Sequence, residues 1–345
     1  MATDTDLTTR LERFVAARLG RPCRVTALDR STEGFSQETF TFDVETDGAR
    51  HAYVAKREPV AGLLEPYDLE PEFRVLHALS GDPLPSPRTP WFERDPAVLE
   101  RPFYVMERLP GEVPIPATQP DGTGPFDDAE RAALGPAVAG ALARLHAVDW
   151  RALGLGFLGV PRGGRDAAAR ELARCEARIE RSGLPVAPIL AESLLWLRAN
   201  LPATDEVTLV HGDYRLGNFL VEREPGGARL TGILDWEMVH LGDPLEDLAW
   251  CSSGLWRASG PYASGLLPPE DFAAAWAAAA GREVDAGRLR FYDVLATVKM
   301  IAIMLTGIRA FRDRRTRDLR MAIFDHQLPL LHLMLAMTRG LAAGE

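Results

Sequence analysis

The chain has 345 residues, and its 49 acidic residues outnumber 39 basic ones for a formal charge of −10. A nucleic-acid binder sets Lys and Arg against phosphate and a membrane-surface protein needs local basic excess, so this balance speaks against both. Apolar residues at 46% and charged residues at 26% make an ordinary globular composition, long enough for two subdomains. Cys23, Cys175 and Cys251 are scattered and odd in number, with no CxxC spacing. That makes no disulfide framework and points to a reducing cytoplasm. The polar stretch 1–10 carries no apolar h-region of a signal peptide.

Leu7, Leu11, Phe14, Val15 and Leu19 fall at helical spacing, with Gly20 as a stop. Strand signals follow at Val25 to Leu28 and at Phe40, Phe42 and Val44, which alternate with polar residues. The Asp47-Gly48 turn leads into a third strand, His51 to Arg57. Helical periodicity returns at Glu70 to Leu79, then a Pro-rich loop and a strand pair ending in Phe103 to Met106. Pro110-Gly111 breaks the chain, and 111–125 reads as loop or linker. Asp127 with Glu130 forms a capping-box signature for a helix running to His146. Further helices are expected at 166–182, 188–200, 269–280, 285–311 and 325–342, with short strands at 209–210, 219–221 and 229–234. The apolar run Phe291 to Phe311 contains Asp293, Lys299 and Arg309, which marks a buried core helix rather than a membrane span.

The order is β-rich first and α-rich second, an α+β chain of two lobes with a cleft between them. The boundary falls at about residues 107–111, so that 1–106 forms one lobe and 107–345, hinge included, the other.

The densest cluster of unusual residues is His211-Gly212-Asp213-Tyr214-Arg215-Leu216-Gly217-Asn218, followed by Asp235-Trp236-Glu237. A hard cation such as Mg2+ takes oxygen ligands, one or two of them from protein, and Asn218 and Asp235 can supply them. Asp213, left unbound to metal, can accept a proton from an attacking hydroxyl. The spacing matches the kinase catalytic loop and metal aspartate, with Gly in place of Arg after the histidine and DWE in place of DFG.

Those departures resemble the aminoglycoside phosphotransferase-like family. The fuller string LVHGDYRLGNFLVE, then LTGILDWEMVHLGDPLEDLAW, resembles the branch related to kinase domains associated with acyl-CoA dehydrogenases. The resemblance runs from about residue 25 to about 335 and thins between 111 and 205. It implies a bilobal protein-kinase-like fold, with a small β-rich N-lobe, a larger helical C-lobe, and Mg2+ with ATP, or GTP, as cofactors. It also implies that Gly34 and Ser36 cover the phosphates and that Lys56 binds them. Arg57 competes with Lys56 but alternates to the other face of the strand. Glu72 resembles the glutamate that pairs with that lysine, and Glu70 points elsewhere on the helix. Met106 resembles a gatekeeper. The Glu107 carbonyl and Leu109 N–H resemble the hinge that reads the adenine. Asp243 and Asp247 resemble a segment that braces the catalytic loop. His146 and His211 are expected to be structural. Arg215 is left between a phosphate, a substrate and a carboxylate partner. Trp250 and Trp256 are left between an acceptor wall and plain core packing.

The expected reaction is transfer of the γ-phosphate to a hydroxyl of a small molecule, with no nucleic acid or membrane partner. A hydroxyacyl thioester or similar metabolite is preferred as acceptor; an aminoglycoside or macrolide is the alternative. A nucleotide-binding pseudokinase is the rival of another class, opposed by the intact Asp213, Asn218 and Asp235. A metal-dependent hydrolase would leave Lys56, Glu72 and the hinge unexplained.

Overall fold

The computed structural model describes residues 4–31, 37–114, 124–259 and 261–340. The chain folds as two compact units, one of Met1–Asp82 with Ser86–Leu109 and a second of Pro83–Pro85 with Pro110–Glu345.

In the first unit, helix α1 (Asp4–Leu19) buries Leu11, Phe14 and Val15, the stripe its spacing predicts. They pack on a five-stranded antiparallel sheet of order β1-β2-β3-β5-β4. Its strands are β1 (Arg24–Ser31), β2 (Glu38–Thr46), β3 (Ala49–Arg57), β4 (Trp91–Glu93) and β5 (Phe103–Glu107). The alternation of Phe40, Phe42 and Val44 sets the register, with Phe40 opposite Ala55 and Phe42 opposite Tyr53, all in the core. Helix α2 (Glu70–Ala78) follows β3, and a short α3 (Pro96–Leu99) lies between β4 and β5.

The second unit is mostly helical: α4 (Asp128–Ala147), α5 (Gly164–Ser182), α6 (Pro188–Ala199), α7 (Leu245–Ser252), α8 (Pro269–Ala280), α9 (Ala286–Arg312) and α10 (Leu319–Thr338). Two small antiparallel pairs interrupt it, β6 (Thr208–Val210) with β9 (His240–Gly242) and β7 (Phe219–Glu224) with β8 (Gly227–Ile233). Helix α9 is long and apolar enough to cross a membrane, yet 72% of its most apolar window is buried against the rest of the chain. Helix α10 begins six residues earlier than its periodicity suggests, because Asp318 caps it by accepting from the Arg320 N–H. Helix α7 has no counterpart among the expected elements; Leu245 through Cys251 are all buried, so no polar face gives it an amphipathic period.

The capping box of α4 forms as read: the Glu130 N–H donates to Asp127 Oδ1, and the Asp127 N–H donates to Glu130 Oε2. Asp127→Ala is expected to destabilise the protein by about 1 kcal/mol. A chemical denaturation midpoint checks this, and an unchanged midpoint would show that the cap carries no weight.

Candidate active site

In the first unit, Lys56 and Glu72 are both buried, with Lys56 Nζ 3.6 Å from Glu72 Oε1. Glu72 is fixed from its other oxygen, where Gln37 Nε2 donates at 2.8 Å. The two rivals lie elsewhere. Arg57 is on the opposite face of β3, paired with Glu38, donating to the Leu99 carbonyl at 2.7 Å and stacked on Phe40. Glu70 pairs with Arg94. A lysine ammonium in this place acts as a compact point charge.

At the end of β5, Tyr53 and Glu107 form a non-hydrogen-bonded pair, since the flanking Arg108 N–H donates to the Ala52 carbonyl. Glu107 therefore turns its main-chain groups away from β3, and its N–H donates to the Arg88 carbonyl. Leu109 closes this unit, and Met106 is buried behind it. Gly34 and Ser36 lie outside the described residues.

In the second unit, the segment 211–218 leaves β6 and enters β7. Asp247 of α7 ties its start down: Oδ2 accepts from the His211 N–H at 2.7 Å and Oδ1 from the Gly212 N–H at 2.8 Å. His146 Nε2 donates to the same carboxylate at 3.2 Å, its proton assigned there because Trp276 Nε1 donates to Nδ1. Burial alone would raise the Asp247 carboxyl, but His146, His211 and these hydrogen bonds hold it below the usual carboxylate range. Gly212 has φ +83°, and a Cβ there would lie 2.5 Å from the Met238 carbonyl oxygen. That close approach explains Gly at this position in the motif.

His211 joins the two halves of the motif. The Asp213 N–H donates to its Nδ1 at 3.2 Å, so Nε2 carries the proton and donates to the Leu234 carbonyl at 3.0 Å. Its pKa is lowered, first by burial, which suits this neutral tautomer. The ring rests on Trp236, whose indole N–H is tied to the Ile233 carbonyl. The Leu234 N–H in turn donates to the Asn218 carbonyl at 2.8 Å, which aligns Asn218 with the residue preceding Asp235. Asp235 itself has φ +65°, a left-handed conformation that Asp tolerates better than most residues.

Asn218 Nδ2 donates to the Asp213 carbonyl at 2.8 Å and to Asp213 Oδ2 at 2.7 Å. Two acceptors on one side fix the amide orientation and leave Asn218 Oδ1 for a ligand. That oxygen and the half-buried Asp235 carboxylate form the kind of oxygen set Mg2+ takes, so the residues present fit the ion. Arg215 Nε donates to Asp213 Oδ1 at 2.9 Å, and its guanidinium lies over Trp256. Of the partners left open for Arg215 in the sequence, the carboxylate is the one seen.

Two contacts were not foreseen from the sequence, where Trp250 was left between an acceptor wall and core packing. Trp250 Nε1 donates to Asp213 Oδ1 at 2.8 Å. Lys299 of α9 donates to the Gly212 carbonyl at 3.2 Å and to Glu246 at 2.9 Å, with Glu171 at 3.6 Å. A lone lysine inside an apolar helix was the available signal for the second. Glu171, His240 and Glu246 have the spacing of a metal site among the described residues, but the Lys299 ammonium already supplies a cation to that cluster.

With this geometry in place, the comparisons are consistent. The profile of the "Phosphotransferase enzyme family" matches residues 31–292. Acyl-CoA dehydrogenase family member 11 of Gallus gallus is 34% identical over 218 residues, 63% of this chain and 26% of that protein. Viomycin phosphotransferase of Streptomyces vinaceus is 31% identical over 172 residues, 44% of this chain and 49% of that one. The chain thus spans between a quarter and a half of these relatives. A crystal structure from Ralstonia eutropha JMP134, provisionally named an aminoglycoside phosphotransferase, is 26% identical and superposes with a TM-score of 0.75 over 96% of this chain and 97% of that one. The APH(2")-IIIa complex with GDP and kanamycin, at 18% identity and TM-score 0.61 over 94% of this chain and 98% of that one, shares the fold. The chain belongs to the phosphotransferase enzyme family and has its protein-kinase-like fold.

Proposed function

We propose that the chain moves the γ-phosphate of a nucleoside triphosphate to a hydroxyl of a hydroxyacyl thioester or a related metabolite, with Asp213 as the proton acceptor. The observation that carries the role of Asp213 is its carboxylate, held by Asn218 on one oxygen and by Arg215 and Trp250 on the other. Three fixed donors keep it in one rotamer, and positioning dominates catalysis of a loose phosphoryl-transfer transition state.

In this reading the base is met by main-chain groups at Glu107 and Leu109, and the phosphates by Lys56, which Glu72 and Gln37 keep in place. Asn218 Oδ1 and the Asp235 carboxylate would hold the metal, which would supply positive charge to the phosphates. His211 and Asp247 keep the backbone of the segment rigid. Asp213 orients the hydroxyl and takes its proton late in the transfer.

The preference for a metabolite rests on the relatives of the acyl-CoA dehydrogenase family, which carry this segment as about a quarter of their length. The match to viomycin phosphotransferase favours an antibiotic acceptor instead. A screen of nucleotide consumption with mass detection of the phosphorylated product decides between them. Hydroxyacyl-CoAs, sugars, aminoglycosides, macrolides and viomycin are offered, each with ATP and with GTP. A phosphorylated hydroxyacyl-CoA is the expected product. A phosphorylated antibiotic with no metabolite product would overturn the preference.

A further inference from the structure

Trp250 lies on α7, buried at 2% exposure, and its indole N–H reaches the one side chain on which the chemistry turns. A carboxylate has about four acceptor positions, two on each oxygen. On Asp213, Oδ1 accepts from Trp250 Nε1 at 2.8 Å and from Arg215 Nε at 2.9 Å, so both of its positions are filled. Among the described residues Oδ2 accepts only from Asn218 Nδ2, at 2.7 Å, and keeps one position open.

The surroundings hold that arrangement from behind. The Trp250 ring packs against Trp256 at 5.4 Å between centroids, and Trp256 carries the Arg215 guanidinium 4.6 Å from its own centroid. The four side chains Asp213, Trp250, Trp256 and Arg215 therefore form a closed circuit. The Lys299 ammonium also lies over the Trp250 ring, 5.2 Å from its centroid, and the same ammonium donates to the Gly212 carbonyl, one residue before Asp213. An indole has few rotatable bonds and carries a donor but no acceptor. It is a rigid way to occupy a carboxylate oxygen without competing for the proton.

We propose that Trp250 is a positioning residue for phosphoryl transfer: with Arg215 it saturates Asp213 Oδ1, so that Oδ2 is the oxygen that receives the acceptor hydroxyl. In the step that follows, the hydroxyl O–H bond breaks and its proton goes to Oδ2. The acceptor oxygen forms its bond to the γ-phosphorus, and the bridging P–O bond breaks with its electron pair leaving on the nucleoside diphosphate. This inference rests on Asp213 being the proton acceptor, as proposed above.

The test is a double-mutant cycle on the full chain, read as hydrolytic turnover of Mg·ATP with water as acceptor. Trp250→Phe keeps an aromatic ring against Trp256 and Lys299 and removes the N–H donor together with the five-membered ring, a loss of volume that the second background below carries equally. We expect its kcat to fall about 10–100-fold, the size of a hydrogen bond to a charged group, with KM for ATP changed less than about twofold. In an Asp213→Ala background the same substitution should cause no further loss, because nothing remains to be positioned. Equal losses in both backgrounds would make Trp250 merely structural and overturn the proposal, as would wild-type turnover of Trp250→Phe. Wild-type turnover of Asp213→Ala would instead overturn the assignment of the proton acceptor itself. The Trp250 indole N–H resonance gives a readout independent of turnover: it should move in Asp213→Ala, and an unmoved resonance counts against the hydrogen bond.

Discussion

Asp213→Ala is expected to lower kcat by about 10²–10⁴-fold, the usual contribution of a positioned general base, with nucleotide affinity changed by no more than a few-fold. The separation of the two effects follows from the contacts. All the described hydrogen bonds to the Asp213 carboxylate come from Arg215, Trp250 and Asn218, and the site assigned to the metal is Asn218 Oδ1 with Asp235. Removing the carboxylate takes away the proton acceptor and leaves those oxygens in the chain. Ala is a cleaner choice than Asn, whose amide would point its own N–H groups at one of three fixed donors. The contrasting variant is Asp235→Ala, which should weaken nucleotide binding in the presence of Mg2+ and leave the metal-free affinity alone. Calorimetric titration with and without Mg2+, together with single-turnover rates, separates the two. Equal turnover of wild type and Asp213→Ala would remove Asp213 from the mechanism.

The elements that were legible beforehand are those whose signal is local. Alternation over Phe40, Phe42 and Val44 marks β2, and Asp127 with Glu130 marks the start of α4 to the residue. The spacing of Asp213, Asn218 and Asp235 is local too, because one short hairpin carries Asn218 and Asp235 at its two ends. What stayed hidden depends on pairs far apart in the chain. Trp250 is 37 residues from Asp213, and Lys299 is 87 from Gly212. A tryptophan in a buried helix carries no mark of where its N–H is aimed. Helix α7 from Leu245 to Cys251 and strand β9 are buried throughout, so they show neither the helical nor the alternating pattern that exposes a boundary. The acceptor was illegible for a further reason. Relatives with this segment are named for two unrelated chemistries, and the phosphoryl-transfer residues are indifferent to which hydroxyl is supplied.

Lys299→Met is expected to cost about 3–5 kcal/mol of stability near neutral pH, a large part of the roughly 5–15 kcal/mol that holds a domain together. Lys299 is 1% exposed, and its ammonium answers two buried carboxylates, Glu246 at 2.9 Å and Glu171 at 3.6 Å. Arg174 and His240 complete the group. Burial alone would raise the Glu171 carboxyl, but His240, Lys299 and Arg174 outweigh it and hold its pKa well below the usual range. Burial opposes a charged His240 ring as well, yet Glu246 and Glu171 raise its pKa. In the wild type, a depressed Glu171 pKa means a contribution present above its ordinary value of 4.5 and lost only as the pH falls below that. In the variant the sign reverses. With the ammonium gone, Glu171 and Glu246 are left with Arg174 and His240 as partners, and taking up a proton makes good part of the lost positive charge, so stability is gained as the pH falls and lost as it rises. The gap between wild type and Lys299→Met should therefore narrow as the pH falls from neutral, measured by urea denaturation. Adding Glu171→Gln should recover part of the loss at neutral pH, because it removes one of the two carboxylate charges that faced the ammonium and keeps the volume. A loss below about 1 kcal/mol, or a gap that widens in acid, would mean that the ammonium does not hold this cluster. The consequence reaches the reaction, because the same ammonium donates to the Gly212 carbonyl one residue before Asp213. A variant that still folds should keep its nucleotide affinity and lose kcat, since Lys299 touches the backbone beside the proton acceptor and the ring of Trp250 behind it.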